Sequence, residues 1–393
     1  MNIKSLLLGS AAALVAVSGA RAADAVVVAE PEPAEYVRIC DVYGAGYFYI
    51  PGTEICLRIG GYVRYDIGVG DVGAFTGAES NDYLDDEEQS TYYKNARFTV
   101  RTYTGQETEL GTLRTYTETR FNWGNDNAYG DGLERNDQGF KGTSLNFAWM
   151  QLGGLRVGKD ESAFLTFHGY LGNVINDTLV PYGGFDTNVV QYYFDFGNGF
   201  SAVASLETGA GNPFSGPGGQ FQDVNPETGG VTGQDSIDSY VPYVVGGVKW
   251  TQGWGAITAL GAYNSSWEEW AGKVKLDVTP MENLSLFLMV GYGTDDNIDR
   301  NFYKQWGGNW AIFGGGTYTI NEKTSFNTQL SYDEDENYGI AANIAYEAVP
   351  GFVITAEVDY AHDGQFDEGY DRNWTNADDE DSIGGMLRFQ RSF

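Results

Sequence analysis

The segment that decides the fold reads Leu57-Arg58-Ile59-Gly60-Gly61-Tyr62-Val63-Arg64-Tyr65-Asp66-Ile67-Gly68-Val69. Leu57, Ile59, Val63, Tyr65, Ile67 and Val69 share one parity; Arg58, Tyr62, Arg64 and Asp66 share the other. Successive side chains of an extended chain point to opposite faces, so this is a strand with one apolar and one charged face. The pattern recurs. Leu284, Leu286, Leu288, Val290 and Tyr292 form one stripe. Phe326, Thr328, Leu330 and Tyr332 oppose Ser325, Asn327, Gln329 and Ser331; Phe352, Ile354, Ala356, Val358 and Tyr360 oppose Thr355, Glu357 and Asp359.

Sixteen such segments are predicted: 57–69, 91–104, 110–123, 143–152, 155–160, 188–196, 200–208, 240–250, 254–264, 268–278, 284–293, 309–319, 324–333, 337–348, 351–361 and 382–393. The connections alternate in length. Short ones hold Gly105-Gln106, Gly153-Gly154, Gly197-Asn198-Gly199, Gln252-Gly253, Pro280 to Asn283, Asn321-Glu322-Lys323 and Pro350-Gly351; long polar ones cover 71–90, 209–239 and 362–381. This predicts an all-β fold, a 16-stranded antiparallel transmembrane β-barrel with short periplasmic turns and long extracellular loops. A soluble sandwich would show strands of about five or six residues. Aromatic residues near strand ends (Tyr47, Tyr49, Phe121, Trp123, Tyr192, Phe194, Trp250, Trp254, Tyr360) fit interfacial girdles.

Composition narrows the partners. The chain has 54 acids against 23 Lys and Arg, a formal charge of −31. Phosphate-backbone binding needs basic clusters, so nucleic acid is excluded as a partner. Two His argue against a His-rich metal site. At the N-terminus Lys4 precedes an apolar run from Leu6 to Val17 and then Ala20-Arg21-Ala22, the layout of a signal peptide spanning residues 1–22. Its removal leaves a mature chain, residues 23–393, with 21 bases and 54 acids, a net −33. Residues 23–35, with Glu30-Pro31-Glu32-Pro33, read as a flexible lead-in. Export to an oxidising compartment favours a disulfide between Cys40 and Cys56, the alternative being two free thiols.

The stretch from Cys40 through Tyr47-Phe48-Tyr49-Ile50-Pro51-Gly52-Thr53 to Cys56-Leu57-Arg58-Ile59-Gly60-Gly61-Tyr62-Val63-Arg64 resembles the N-terminal signature of the general diffusion porins of the alphaproteobacterial outer membrane. The terminal Phe393 on an alternating strand resembles the signal read by the barrel-assembly machinery; Arg391 departs from it, since an apolar residue is usual there. The resemblance implies homotrimers in the outer membrane, each protomer with its own pore for small hydrophilic solutes and ions. It also implies an inward-folded third loop, here 161–187, as the constriction. That region bears Glu161, Asp177 and Asp186, with Asp160 just before it, and the resemblance sets these acids against wall arginines. Strand parity independently directs Arg58, Arg64, Arg97, Arg101, Arg114, Arg120 and Arg156 to the lumen, because a charge facing lipid costs roughly 2–4 kcal/mol near the midplane.

The expected mechanism is passive, through a water-filled lumen crossed by a transverse field. Acidic loops enrich cations at the mouth, while the arginines oppose them locally; weak to moderate cation selectivity is expected. No cofactor is expected. Ca2+ or Mg2+ bridging to lipopolysaccharide is an expectation for Asp82, Asp85, Asp86, Glu87 and Glu88, and for Asp378 to Asp381. Other motifs fail. Gly153 to Lys159 fits a phosphate loop, but Asp160 replaces the required Ser or Thr. Asp333, Asp335 and Asn337 open like a calcium loop, but Tyr338 and Ile344 break it. An outer-membrane hydrolase would need a nucleophile beside His168 or His362, and no Gly-x-Ser-x-Gly elbow is present. A substrate-specific channel, for sugars for example, would show stacked lumen rings, and an adhesin barrel would not conduct.

Overall fold

The computed structural model describes residues 38–70, 72, 77–125, 138–210, 223–224, 231–232, 236–297, 300–365 and 379–393. Residues 1–22, expected as a signal peptide, and residues 23–35, expected as a lead-in, lie outside the described residues, as do Asp71, Arg372 and Asp378.

Sixteen strands form one antiparallel barrel. They are β1 (Cys56–Gly70), β2 (Glu88–Thr108), β3 (Gly111–Asn125), β4 (Gln138–Leu152), β5 (Leu155–Glu161), β6 (Asp186–Gly197), β7 (Phe200–Glu207) and β8 (Tyr243–Gln252). They continue as β9 (Gly255–Asn264), β10 (Glu269–Met281), β11 (Leu284–Gly293), β12 (Trp310–Asn321), β13 (Thr324–Asp333), β14 (Tyr338–Val349), β15 (Phe352–His362) and β16 (Asp381–Ser392). Each pairs with the next, and β1 closes the sheet on β16 through Tyr62↔Ser392 to Gly70↔Gly384. Closure removes the free edges that lipid cannot hydrogen-bond. Among the described residues four short strands lie outside the wall: Phe48–Tyr49 pairs with the start of β1, Gly77–Asn81 with the start of β2, and Asp223–Val224 with Val231–Thr232.

Seven turns at the end that holds both Cys56 and Phe393 have only two residues each, such as Asn198-Gly199. There Asn198 has φ 52° and Gly199 φ 81°, the left-handed pair of a hairpin turn that matches strand twist. The opposite end carries the long connections, together with two four-residue ones at 265–268 and 334–337. β2 is the largest departure from the predicted spans, beginning at Glu88 and ending at Thr108 rather than covering 91–104. Its extra residues pair with Gly77–Asn81 at one end and with β3 at the other.

Burial is inverted relative to a soluble protein. On β1, Ile59 and Val63 are 57% and 53% exposed, whereas Tyr62 and Asp66 on the other parity are 3% and 2% exposed. The apolar face looks outward to lipid and the polar face inward. The buried apolar clusters lie inside the barrel around the loop Ser162–Phe185, where Phe164, Tyr303, Tyr243 and Val245 pack together, as do Leu165, Tyr182, Trp306 and Phe313. Outside, Phe200–Trp250 and Trp250–Trp254 ring pairs lie at the short-turn end, and Tyr263–Trp270 and Trp310–Tyr332 pairs at the long-loop end. Tyr47 and Tyr49 do not join these girdles. They lie on the segment closed by the Cys40–Cys56 disulfide, where Tyr47 sits 5.3 Å from the Arg58 guanidinium.

Candidate functional site

The inner face of the wall can be traced from one contact. Glu357 on β15 accepts hydrogen bonds from Ile175 N at 2.6 Å and Asn176 N at 2.8 Å, both on the loop inside the barrel. Paired residues share a face, so the register Glu357↔Met386↔Gly68↔Tyr93 carries that face onto β16, β1 and β2. Arg97↔Asn122, Tyr116↔Trp149 and Gln151↔Arg156 carry it on to β3, β4 and β5. Arg58, Arg64, Arg97, Arg101, Arg114, Arg120 and Arg156 all fall on this inner parity.

Their partners divide them. Glu118, 1% exposed, accepts Arg101 Nε at 2.6 Å, Arg120 Nε at 2.7 Å and the Tyr116 hydroxyl at 2.9 Å. Arg156 donates to Asp160 at 2.8 Å and to the Gln151 amide oxygen at 2.9 Å. Arg64 and Arg97, direct cross-strand partners, donate instead to Gln390 at 2.9 Å and Asn122 at 2.7 Å. Amides leave the charge standing, so these two guanidiniums have no carboxylate partner among the described residues. Arg58 and Arg114 sit near the short turns, against Tyr103 and Tyr43.

The loop proper runs from Ser162 to Phe185, shorter at both ends than the predicted 161–187. Asp160 and Glu161 therefore end β5, Asp186 begins β6, and Asp177 is the only one of the four acids on the loop itself. Glu161 is 7% exposed and accepts the Tyr170 hydroxyl. Asp186 pairs with Lys159 and shares the parity of the exposed Val190 and Tyr192, the outer face of β6. Asp177 accepts the Tyr182 hydroxyl at 2.5 Å, and burial pushes its carboxyl up to about 6 despite that bond.

The loop enters through a four-residue helix, α1 (Ala163–Thr166), capped by the Ser162 hydroxyl. Glu207 on β7 holds its start, accepting Ala163 N at 2.8 Å and the Tyr303 hydroxyl at 3.0 Å. Across the lumen, Glu357 holds the tip, Asn343 donates to Asn173 O at 3.1 Å, and Gln329 donates to Asp177 O at 2.6 Å. His168 lies between two wall lysines: Lys273 Nζ is 2.9 Å from its Nε2, and Lys275 Nζ bonds its carbonyl at 3.1 Å. Burial and those two cations hold the imidazole well below its ordinary pKa.

Sequence parity did not single out Glu207, Glu357, Lys273 or Lys275 as supports of the loop, because nothing local to a strand says what will cross the lumen. Nor did it single out Arg388, which forms a two-pronged ion pair with Asp66 at 2.7 and 3.0 Å. A second inward segment was also missed. Phe302, Tyr303 and Trp306 are at most 1% exposed, and Phe302 O accepts Gly184 N at 2.8 Å. Three large rings between the predicted strands 284–293 and 309–319 were the available signal. Outside, Asp85, Asp86 and Glu87 lie exposed in the turn before β2, and Glu88 opens that strand. Among the described residues no cluster of His, Cys, Asp and Glu is arranged to hold a metal ion.

A closed sixteen-stranded barrel, apolar outside and polar inside, with a loop folded across its lumen, is the architecture of an outer-membrane channel for passive diffusion. The sequence pattern of the porin subfamily matches residues 24–386. Porin Omp2b of Brucella melitensis biotype 1 is 50% identical over 396 residues, covering 100% of both chains, as is Porin Omp2b of Brucella suis biovar 1. Among solved structures, a triple mutant of the Rhodopseudomonas blastica porin superposes with a TM-score of 0.51 at 14% identity, covering 86% of this chain and 100% of that one. Pseudomonas putida OprB, in its high-pH structure, gives 0.52 at 10% identity, covering 86% and 94%. The chain belongs to the porin subfamily and is a channel of the outer membrane, not an enzyme.

Proposed function

We propose that this porin is a general diffusion channel for small hydrophilic solutes and ions, narrowed by the loop Ser162–Phe185 and polarised across its waist. The observation that carries this reading is the uncompensated pair Arg64 and Arg97, side by side on the inner wall. Arg101, Arg120 and Arg156 extend the basic side, while Arg58 and Arg114 flank the periplasmic mouth. The facing acids are Asp177 on the loop and Glu161, held to the loop through Tyr170; Asp160 pairs with Arg156 on the same strand, and Asp186 lies at the rim. Fixed charges of opposite sign order water and raise the barrier for apolar solutes. The surplus of acids in the chain draws cations toward the mouth. Weak to moderate cation selectivity is therefore expected, and reversal potentials in a bilayer salt gradient test it. A preference for anions contradicts it.

The protomers assemble as homotrimers through the outer face of β2 and β3. That face carries Thr102, Thr104, Thr115, Thr117 and Thr119, where β11 carries Leu284, Leu286, Leu288 and Val290. Thr102–Thr117 and Thr104–Thr115 hydroxyls pair at 2.6 Å, a polar stripe better suited to a neighbouring subunit than to lipid. Residues 1–22 direct export and are removed. Phe393, whose backbone pairs with Gly61 in both directions, presents the assembly signal to the barrel-assembly machinery. Arg391 fits there because its guanidinium reaches the Pro350 carbonyl at the rim rather than lipid. Divalent ions bridge Asp85, Asp86, Glu87 and Glu88 to lipopolysaccharide phosphates, so chelation should loosen the trimer.

A further inference from the structure

Between the loop and the short turns, the inner wall carries a row of rings that neither the constriction nor the packing of the loop uses. Tyr103 and Tyr116 are cross-strand partners with centroids 4.9 Å apart. Tyr116 lies 5.4 Å from Phe147 and 5.5 Å from Trp149. An arginine caps each end: Arg58 lies 4.0 Å from the Tyr103 centroid and Arg156 3.9 Å from that of Trp149. The registers that define the inner face place all of them on the lumen side, in continuous contact from β1 to β5.

Ordinary packing does not account for the row. The apolar clusters inside the barrel gather around the loop, and none contains Tyr103, Tyr116, Phe147 or Trp149. All four rings are half-buried, their remaining surface turned to the lumen. On β13 and β14 the wall presents Asn327, Gln329 and Asn343. Contiguous apolar surface in a water-filled passage marks contact with something that has an apolar face of its own.

We infer that this row is a weak saccharide-binding ribbon in the periplasmic half of the pore. A pyranose offers a C–H face to stack on a ring. Its hydroxyl oxygens accept from the guanidinium N–H groups of Arg58 and Arg156 at the two ends of the row. The inference rests on the channel reading above and adds a solute class to it.

The test is current blockade in planar bilayers by maltotriose, against a polyethylene glycol of matched hydrodynamic size. Maltotriose should produce saturable blockades at millimolar concentration, and the polymer should not. Trp149→Ala and Tyr116→Leu, made separately so that one misfolded variant does not decide the matter, should each raise the half-blocking concentration roughly 3- to 10-fold. Phe326→Leu, on the outer face, should leave it unchanged. Conductance with maltotriose and polymer acting alike, or with both inner-wall variants blocked like the parent, overturns the ribbon alone. Absence of any conductance overturns the channel reading and the ribbon with it.

Discussion

Glu118 concentrates more of the wall's electrostatics than any arginine, since it is shared by Arg101, Arg120 and the Tyr116 hydroxyl. Glu118→Gln should uncover two guanidiniums and move the reversal potential toward anions; the double change Arg64→Gln, Arg97→Gln should move it toward cations. His168 gives the pH dependence. Its pKa in the fold is depressed, so its contribution to loop attachment is complete above the ordinary value of 6.5 and fades as pH falls below it, toward the lower native value. Each pH unit in that window weakens attachment by at most about 1.4 kcal/mol. Asp177 acts oppositely: its pKa is raised from 3.8 to about 6, so protonation over that range favours the fold. His168→Gln should therefore abolish acid-induced current noise that begins below pH 6.5, while Asp177→Asn should leave that onset in place. Parity alone placed the seven arginines on one face, but not their partners. Asp66 and Arg388 lie 322 positions apart and meet only because the barrel closes.

Strands were the most readable elements, because alternation is a property of each strand alone. Segments 284–293 and 324–333 agree residue for residue with β11 and β13. The loop was less readable. Its glycines and acids are compatible with an outward loop, and its path is set by Glu207, Glu357, Asn343 and Gln329, which belong to other strands. Removing the tip's anchor should show this. Glu357→Ala frees the Ile175 and Asn176 amides and should produce larger open-channel fluctuations in single-channel recordings. Fluctuations equal to the parent's would mean that the loop is held elsewhere. The Cys40–Cys56 disulfide closes a short segment with a sequence separation of 16. Its loss should cost about 3 kcal/mol of local stability, seen as protease cleavage near Tyr47 with the barrel intact.

At the scale of the molecule, the charge of −31 is unevenly distributed. Residues 71–88 and 363–381 contain 15 of the 54 acids and a single base, Arg372, while the seven arginines of β1, β2, β3 and β5 share the inner parity of the wall. Assembly is tested on the opposite surface. Thr117→Phe should convert heat-labile oligomers on mild detergent gels to monomers if β2 and β3 face a neighbour, and should change nothing if they face lipid. The most direct test of the whole is single-channel recording of the purified protein across a range of salt and of polymer sizes. The expected result is ohmic steps that scale with bulk conductivity, with a polymer cut-off that widens in Glu357→Ala. A barrel that fails to conduct, or a cut-off indifferent to the loop's anchor, would contradict a pore narrowed by Ser162–Phe185.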